Sequence, residues 1–456
     1  MCNTLVNFLL THVNHHLTKL SSSFATGSKT HNSMLKKPAR LLLTSCTIFI
    51  FTSLASAQTP DTLRLSIPDA EKLFLQNNLS LLAQHYNVDV NKAFVQQARY
   101  WDNPVLNTDQ NIYDGKFFRH NKDYGQVYLQ LTQLIKTAGK RNKQIKLAND
   151  QVLSAEQQFN DLLRNLRFTL RTDLATLDQQ LRTLNIYSNE AGSIQKLVAG
   201  MDAQLQAGNI SQKDNIRIKA LLFNLQSDAA SLQSQVADTQ KELATLLQVK
   251  GDTVYLPVIT STPAVNLPYS LNQLLDSAKI NRPDYLLAQT NLQAQQHNLA
   301  YQKAQAVPDV TVGVEYDRLS TYVPNFWGLQ ISLPIPLLNR NKGNIKAAQY
   351  SISQASVQVQ QAGRQAEAEV IASYNKLLTI QKLQQGIPTD FIGHYEQLMQ
   401  NMVQSYQQRQ VSLLEFIDFF DAYKEAMSNL IQQQSNLRNA AEELNFSVGA
   451  SLLANN

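Results

Sequence analysis

The sequence predicts a mainly helical fold that also carries four short membrane-crossing β-strands. The chain reads as a tandem duplication in the order helix, two strands, long helix, turn, long helix. Three observations predict it. Long glutamine-studded stretches carry apolar residues at heptad spacing without proline. Segments of about ten residues alternate apolar and polar positions. The first half of the chain is echoed in the second at an offset of roughly 200 residues.

The 456 residues exceed what the repeats need, and the excess lies at the start. From Met34 the chain reads MLKKPARLLLTSCTIFIFTSLASAQ, with a basic Lys36, Lys37 and Arg40, an apolar Leu41 to Leu54, and Ala55-Ser56-Ala57 before Gln58. This is the layout of a secretory signal, too short and too small at its end for a membrane anchor. The expected division is therefore an upstream extension over 1–33, a signal peptide over 34–57, a first repeat over 58–250, a linker over 251–268 and a second repeat over 269–456. Residues 1–57 hold five of the 40 Lys and Arg and none of the 35 Asp and Glu, so residues 58–456 carry 35 of each. The basic pI belongs to the leader, and no nucleic-acid partner is expected. Cys2 and Cys46 lie in the same leader, so an exported chain would be held by packing alone.

The repeat is legible in pairs of segments. NNLSLLAQ from Asn77 is echoed by NRPDYLLAQ from Asn281, Asn103-Pro104 by Val307-Pro308, Ile145-Lys146-Leu147-Ala148 by Ile345-Lys346-Ala347-Ala348, and MDAQLQAGNIS from Met201 by MVQSYQQRQVS from Met402. Between the halves, Gly251 to Pro268 is rich in Pro, Thr and Val and reads as extended. Within the first half, Ile145, Val152, Phe159, Leu163, Leu166, Leu170, Leu174, Leu177, Leu181 and Leu184 fall at spacings of seven or of three and four, predicting one helix from Ala138 to Leu205 about 100 Å long. Ile218, Leu222, Leu225, Leu232, Val236, Leu243 and Leu246 mark its return partner.

Strands are expected at Val105 to Tyr113, around Val127, Leu129 and Leu131, around Val310, Val312 and Val314, and around Trp327, Leu329, Ile331 and Leu333. Polar residues, among them Gln126, Gln130, Glu315, Asp317 and Gln330, take the alternate positions. Tyr113, Tyr124, Tyr316, Tyr322, Phe326 and Trp327 flank the intervening loops, where a membrane interface selects aromatics. The ten apolar positions from Val127 to Leu333 are the expected lipid-facing set. Two hairpins cannot close a barrel, and an open strand edge facing lipid costs several kcal/mol for each unpaired backbone group. Several chains must therefore share one barrel.

At this point the residues resemble the TolC family of outer-membrane efflux ducts over nearly the whole chain after the leader. The segments that carry the resemblance are SIPDAEKLFLQNNLSLLAQ, the helix-to-strand junctions at Pro104 and Pro308, and the turns QAGNIS and QRQVSLLEFIDFFDAYKE. The segment LPIPLLNRNKGNIKAA looks like the equivalent turn of the CusC and CzcC branch, which serves heavy-metal and drug pumps. The resemblance implies a TolC-like homotrimer in which four strands per chain form a shared twelve-stranded barrel. Below it a helical tunnel would cross the periplasm to a periplasmic adaptor and an inner-membrane pump. By the same resemblance the adaptor-docking tips match Gly208, Asn209, Ile210 and Ser211 in the first repeat and Gln410, Val411, Ser412 and Leu413 in the second. Ile210, Val411 and Leu413 are expected to be exposed there. The second tip has Arg409-Gln410 where the family usually has Gly. Near it stand Met399, Gln400, Asn401 and Met402 instead of an acidic ring, and Asp202 of the first tip reads as a solvated charge.

Enzyme chemistry finds no motif: no phosphate loop, nucleophile elbow or dinucleotide turn occurs. His85, His120, His297 and His394 stand on separate segments and read as solvated, without a carboxylate partner or metal spacing, so neither metal nor cofactor is expected. The competing reading is a periplasmic coiled-coil adaptor or structural protein that never enters the membrane. Such a chain would carry one helical hairpin between Gly-rich β domains, not two hairpins and four isolated strands.

Overall fold

A computed structural model describes residues 61–453 apart from 114, 120–123, 252, 260–266, 321–322 and 387–390. The leader expected over 1–57, His120 and Tyr322 lie outside the described residues.

The elements run in duplicate. The first repeat has β1 (Asp61–Leu65), α1 (Ile67–Asn77), α2 (Leu79–Arg99), β2 (Val105–Gln110), β3 (Val127–Ile135), α3 (Lys140–Gln206) and α4 (Gln212–Leu247). The second has β4 (Thr253–Pro257), α5 (Leu271–Asn281), α6 (Pro283–Gln305), β5 (Val310–Leu319), β6 (Pro324–Ser332), α7 (Lys342–Gln385), α8 (Phe391–Gln407) and α9 (Leu413–Val448). At 67 residues α3 is about 100 Å long. Its predicted seam is buried at Leu170, Leu174 and Leu177, whereas nearer the strands the buried apolar positions are Ala148 and Ala155. Small residues there let α2 and α6 come up against α3 from either side.

Three features depart from the sequence expectation. The first helix of each repeat is broken in two. At the break the buried Asn78 caps α2, its side chain accepting from the Leu81 amide at 3.0 Å and donating to Leu246 O at 3.0 Å. In the second repeat the buried Arg282 stands at the same break. Next, the extended segment after Gly251 is paired: β4 runs parallel to β1, with Leu63 opposite Tyr255. Gln240 of α4 covers the other edge of β4, donating to Tyr255 O at 2.7 Å and accepting from Tyr255 N at 2.9 Å, as a third strand would. Finally, β2 is six residues long and ends at Gln110 instead of Tyr113.

Apolar burial is concentrated in three places. Phe74, Tyr255, Leu174 and Leu243 form one cluster where β1, β4 and α1 meet the middle of α3 and the end of α4. Leu274, Val370, Leu377 and Leu444 form its counterpart in the second repeat. At the far end of the helices, Ile194, Met201, Ile218, Phe416 and Phe420 join the two hairpin tips.

Beside the first cluster, Asp173 has a buried Oδ2 with no hydrogen-bond partner. Burial, and then the charge of Glu242, push its carboxyl from 3.8 up to about 6. Between those values the folded chain holds a proton that the unfolded chain has released, so stability falls as pH rises through that window. Asp173→Asn is expected to remove this loss. Its thermal midpoint should exceed that of the parent at pH 8 and match it at pH 4.

Candidate functional site: an amphipathic sheet and two helical tips

The strands β2, β3, β5 and β6 form one antiparallel sheet in that order, open at β2 and at β6. Directly paired residues share a face, so the register sorts the side chains. Leu106, Leu131, Val314 and Leu329 form one row across all four strands. Leu129, Tyr316 and Trp327 form the next row toward the hairpins, and Val312 and Ile331 the next toward the helices. All ten residues singled out in the sequence fall on this face by parity. Leu129, Leu131, Val314, Trp327, Leu329, Ile331 and Leu333 are exposed, and Val127, Val310 and Val312 are half-buried. Gln133 interrupts the face, but its amide donates to Asp102 O at 2.8 Å and Leu134 O at 3.0 Å.

The opposite face is polar and hydrogen-bonded across strands. Tyr128 donates to Glu315 at 2.8 Å, Gln126 to Asp317 at 2.9 Å, Asn107 to Gln130 at 3.1 Å, and Gln130 to Gln330. Glu315 lies flat over Gly328, where a Cβ would stand 2.7 Å from its carboxylate oxygen. Asp109, Glu315 and Asp317 belong to this face, and its paired positions carry no Lys or Arg.

The sheet is fastened to the helices at its base. Lys140, buried at the start of α3, donates to Asp309 at 2.7 Å and to Val307 O at 2.6 Å. Thr137 donates its hydroxyl to Pro308 O at 2.6 Å and its amide to Asp309 at 2.8 Å. The corner just after β3 thus grips the residues just before β5, which fixes the sheet against the helical bundle.

At the other end the two turns are superimposable in their bonding. Gly208 has φ +74° and Arg409 has φ +61°. The amides of Asn209 and Gln410 reach back five residues, to Gln204 O and Ser405 O, at 2.9 and 2.8 Å. This is the left-handed helix ending that Gly favours. Arg409 adopts it despite its side chain and donates to Gln204 of the first tip at 2.9 Å. Ser211 and Ser412 cap the returning helices. The Ser412 backbone N–H and then its hydroxyl hold Glu415 below the usual carboxylate range. Asp202 is likewise lowered, first by Lys219 and then by Asn215. It bonds to both, at 2.6 and 2.7 Å, and so ties α3 to α4.

Leu413 corrects the expected tip surface. It is 8% exposed and packs into the tip core, Ile210 and Val411 are half-buried, and the exposed apolar residue is Leu414 at 64%. Between the tips lies a groove of about 730 Å³ lined by Lys196, Gly200, Ile210, Arg217, Val411 and Leu414 among others. The histidines also differ from expectation. His297 bonds the buried Asp150 at 2.6 Å, and His85 lies 3.4 Å from Asp89. These are single pairs, and among the described residues no group of three or more His, Cys, Asp or Glu is placed to hold a metal.

The architecture is an amphipathic antiparallel sheet, apolar and exposed on one face and polar on the other, standing on a helical bundle whose longest helix, α3, is about 100 Å long. Residues 72–248 and 274–450 match the family described as outer membrane efflux protein, and the chain belongs to that family. Among relatives, it is 30% identical over 179 residues to the pyoverdine export outer membrane protein OpmQ of Pseudomonas putida, covering 38% of this chain and 37% of OpmQ. It is 20% identical over 292 residues to the cobalt-zinc-cadmium resistance protein CzcC of Cupriavidus metallidurans, covering 62% of this chain and 66% of CzcC. The fold is that of CusC, with a TM-score of 0.68 at 18% identity over 87% of this chain and 96% of that one. Among the described residues no helix is long and apolar enough to cross a membrane.

Proposed function

We propose that the chain is one third of a passive outer-membrane duct that receives cargo from an inner-membrane pump through a periplasmic adaptor. The observation that carries this reading is the sheet: apolar and exposed on one face, polar and hydrogen-bonded on the other, with both edges unpaired. In lipid those edges must be closed by other strands. Two copies would give eight strands, whose interior side chains nearly fill, whereas three give twelve and leave a water-filled lumen.

The helices support the same assembly. Near the sheet the helical neighbours run α2, α3, α6, α7, and further down α4, α3, α9 and then α7 and α8. The outermost helices carry unpartnered apolar stripes at helical spacing: Leu79, Leu82, Tyr86 and Val90 on α2, and Tyr350, Val357, Ile371 and Leu378 on α7. The two stripes differ, so each edge would meet the other kind in the next copy, a head-to-tail contact that closes a ring. Mass measurement in detergent and gel migration without boiling test the reading; a water-soluble monomer would refute it.

The face with Asp109, Glu315 and Asp317 would then line the lumen and favour cations. Glu315→Gln with Asp317→Asn is expected to move the reversal potential of reconstituted channels toward non-selectivity while conductance persists. The tip groove, lined by Asn209, Ile210 and Val411, together with the exposed Gly208 and Gln410 of the two turns, is the proposed adaptor site. Leu414→Asp is expected to abolish export of a pump substrate and cross-linking to the adaptor from Asn209→Cys, with the assembly's melting unchanged. Loss of the assembly itself would assign Leu414 to folding instead. Pyoverdine export by OpmQ and metal resistance by CzcC support a cargo drawn from chelated or free metal ions and drugs.

A further inference from the structure

The alternation that makes β6 amphipathic continues where β6 ends. Trp327, Leu329 and Ile331 lie on the strand, and Leu333, Ile335 and Leu337 keep the same parity beyond Ser332, the residue opposite Thr311 at the end of the pairing. These six residues are 51–73% exposed, and Leu338 is 101% exposed. The overhanging ribbon is also poor in backbone donors. Pro334 and Pro336 have no amide hydrogen, so between Leu333 and Leu337 one edge of the ribbon offers none, and each holds the residue before it extended. The ribbon then bends at Pro336, and the Leu337 amide is taken up across that turn by Ile335 O at 2.9 Å. A stripped, apolar ribbon suits a medium that cannot hydrogen-bond.

Its end is basic. The stretches 136–146 and 339–346, which lead from the sheet into α3 and α7, contain eight Lys or Arg and no Asp or Glu, in a chain that carries equal numbers of basic and acidic residues after the leader. Ion pairs take up Lys136 and Lys140, while Arg340 and Lys342 are exposed. At the same end Trp101 is exposed, with the Arg141 guanidinium 4.5 Å above its ring.

We infer that residues 333–338 lie in the bilayer leaflet nearest the helices and that Arg340 and Lys342 bind the phosphates of anionic phospholipid there. The inference rests on the sheet spanning a bilayer. Continuity of the apolar face, the missing donors and the local positive charge together select a lipid surface over a protein strand. The ribbon would set the depth of the barrel: its apolar side chains resist withdrawal, and its basic end resists passage through the leaflet.

The test uses the full chain with Cys2→Ser and Cys46→Ser, a bimane label at Leu337→Cys or Leu329→Cys, and brominated-lipid vesicles of phosphatidylcholine with or without phosphatidylglycerol. Quenching at both labels is expected, and native mass spectrometry should show phosphatidylglycerol retained in preference to phosphatidylcholine. Arg340→Gln and Lys342→Gln should each lower that preference about fivefold without changing conductance. Quenching at position 329 but not at 337 overturns the inference and leaves the barrel standing. Quenching at neither refutes the spanning sheet. A disulfide between Leu337→Cys and Trp101→Cys of another copy would make the ribbon a contact between copies, which also overturns it, as would equal retention of the two lipids.

Discussion

Leu329→Arg is expected to destabilise the inserted assembly by about 2 to 4 kcal/mol, the cost of a cation on the lipid face near the bilayer midplane. The register singles out this position. Leu329 belongs to the row Leu106, Leu131, Val314 and Leu329, which is apolar across every strand, so no polar neighbour can receive the guanidinium. Ile331 is one row nearer the helices, next to Val312 and then Gln133, and its arginine variant is expected to cost less because the side chain can reach the basal interface. Gln330→Arg is the control. It falls on the opposite face, in reach of the network around Gln130 and Glu315, and should leave assembly yield unchanged while weakening cation preference. Unboiled gel migration of membrane fractions and single-channel recording separate the outcomes. Equal tolerance of arginine at positions 329 and 330 would mean that neither face meets lipid.

Local periodicity made most of this architecture readable. The heptads of α3 and α4, the two-residue period of β3, β5 and β6, and the duplicated turns at Gly208 and Arg409 are each encoded within a few residues of one another. What escaped were features whose cause lies far away in the chain. The capping Asn78 and Pro283 mark the helix breaks locally, but only the packing of α4 and α9 buries Asn78 and Arg282 there. The pairing of β1 with β4 joins the start of the first repeat to the start of the second, across nearly all of the first repeat's chain, so Thr253 to Pro257 read as linker. Asp150 and His297 meet only because α3 and α6 lie side by side. At the second tip the error was one residue of phase: both Leu413 and Leu414 follow the capping Ser412, and only the direction of the first turn of α9 decides which faces the core.

Arg282→Met is expected to be the most damaging single change in the helical part, at about 2 to 4 kcal/mol, because it leaves the Ser447 carbonyl and two partly exposed carboxylates, Asp284 and Glu369, without the buried guanidinium that joins them. Arg282 is 1% exposed. Its guanidinium holds Asp284 in a two-pronged contact at 2.6 and 3.1 Å, Glu369 of α7 at 2.7 Å, and the carbonyl of Ser447 near the end of α9 at 2.9 Å. It thereby ties α6, α7 and α9 together at the break between α5 and α6. Gly449 seals the site from above: it has φ +76°, and a Cβ there would stand 2.9 Å from the Asn281 carbonyl. Arg282→Lys keeps the charge but cannot span Asp284, Glu369 and Ser447 at once, so an intermediate loss is expected. Adding Glu369→Leu to Arg282→Met should recover part of the stability, since it removes one of the abandoned carboxylates. The acid side supplies an independent check. Burial raises the Asp284 carboxyl, but the Arg282 hydrogen bonds and the charges of Arg164 and Arg282 outweigh it and leave it below its usual value. A lowered folded-state pKa contributes stability above the usual carboxylate value that is lost as pH falls. The parent should therefore lose more stability than Arg282→Met on acidification, and the two melting curves should converge. Curves that stay parallel from neutral to acid pH would show that Arg282 acts by filling space and not by charge.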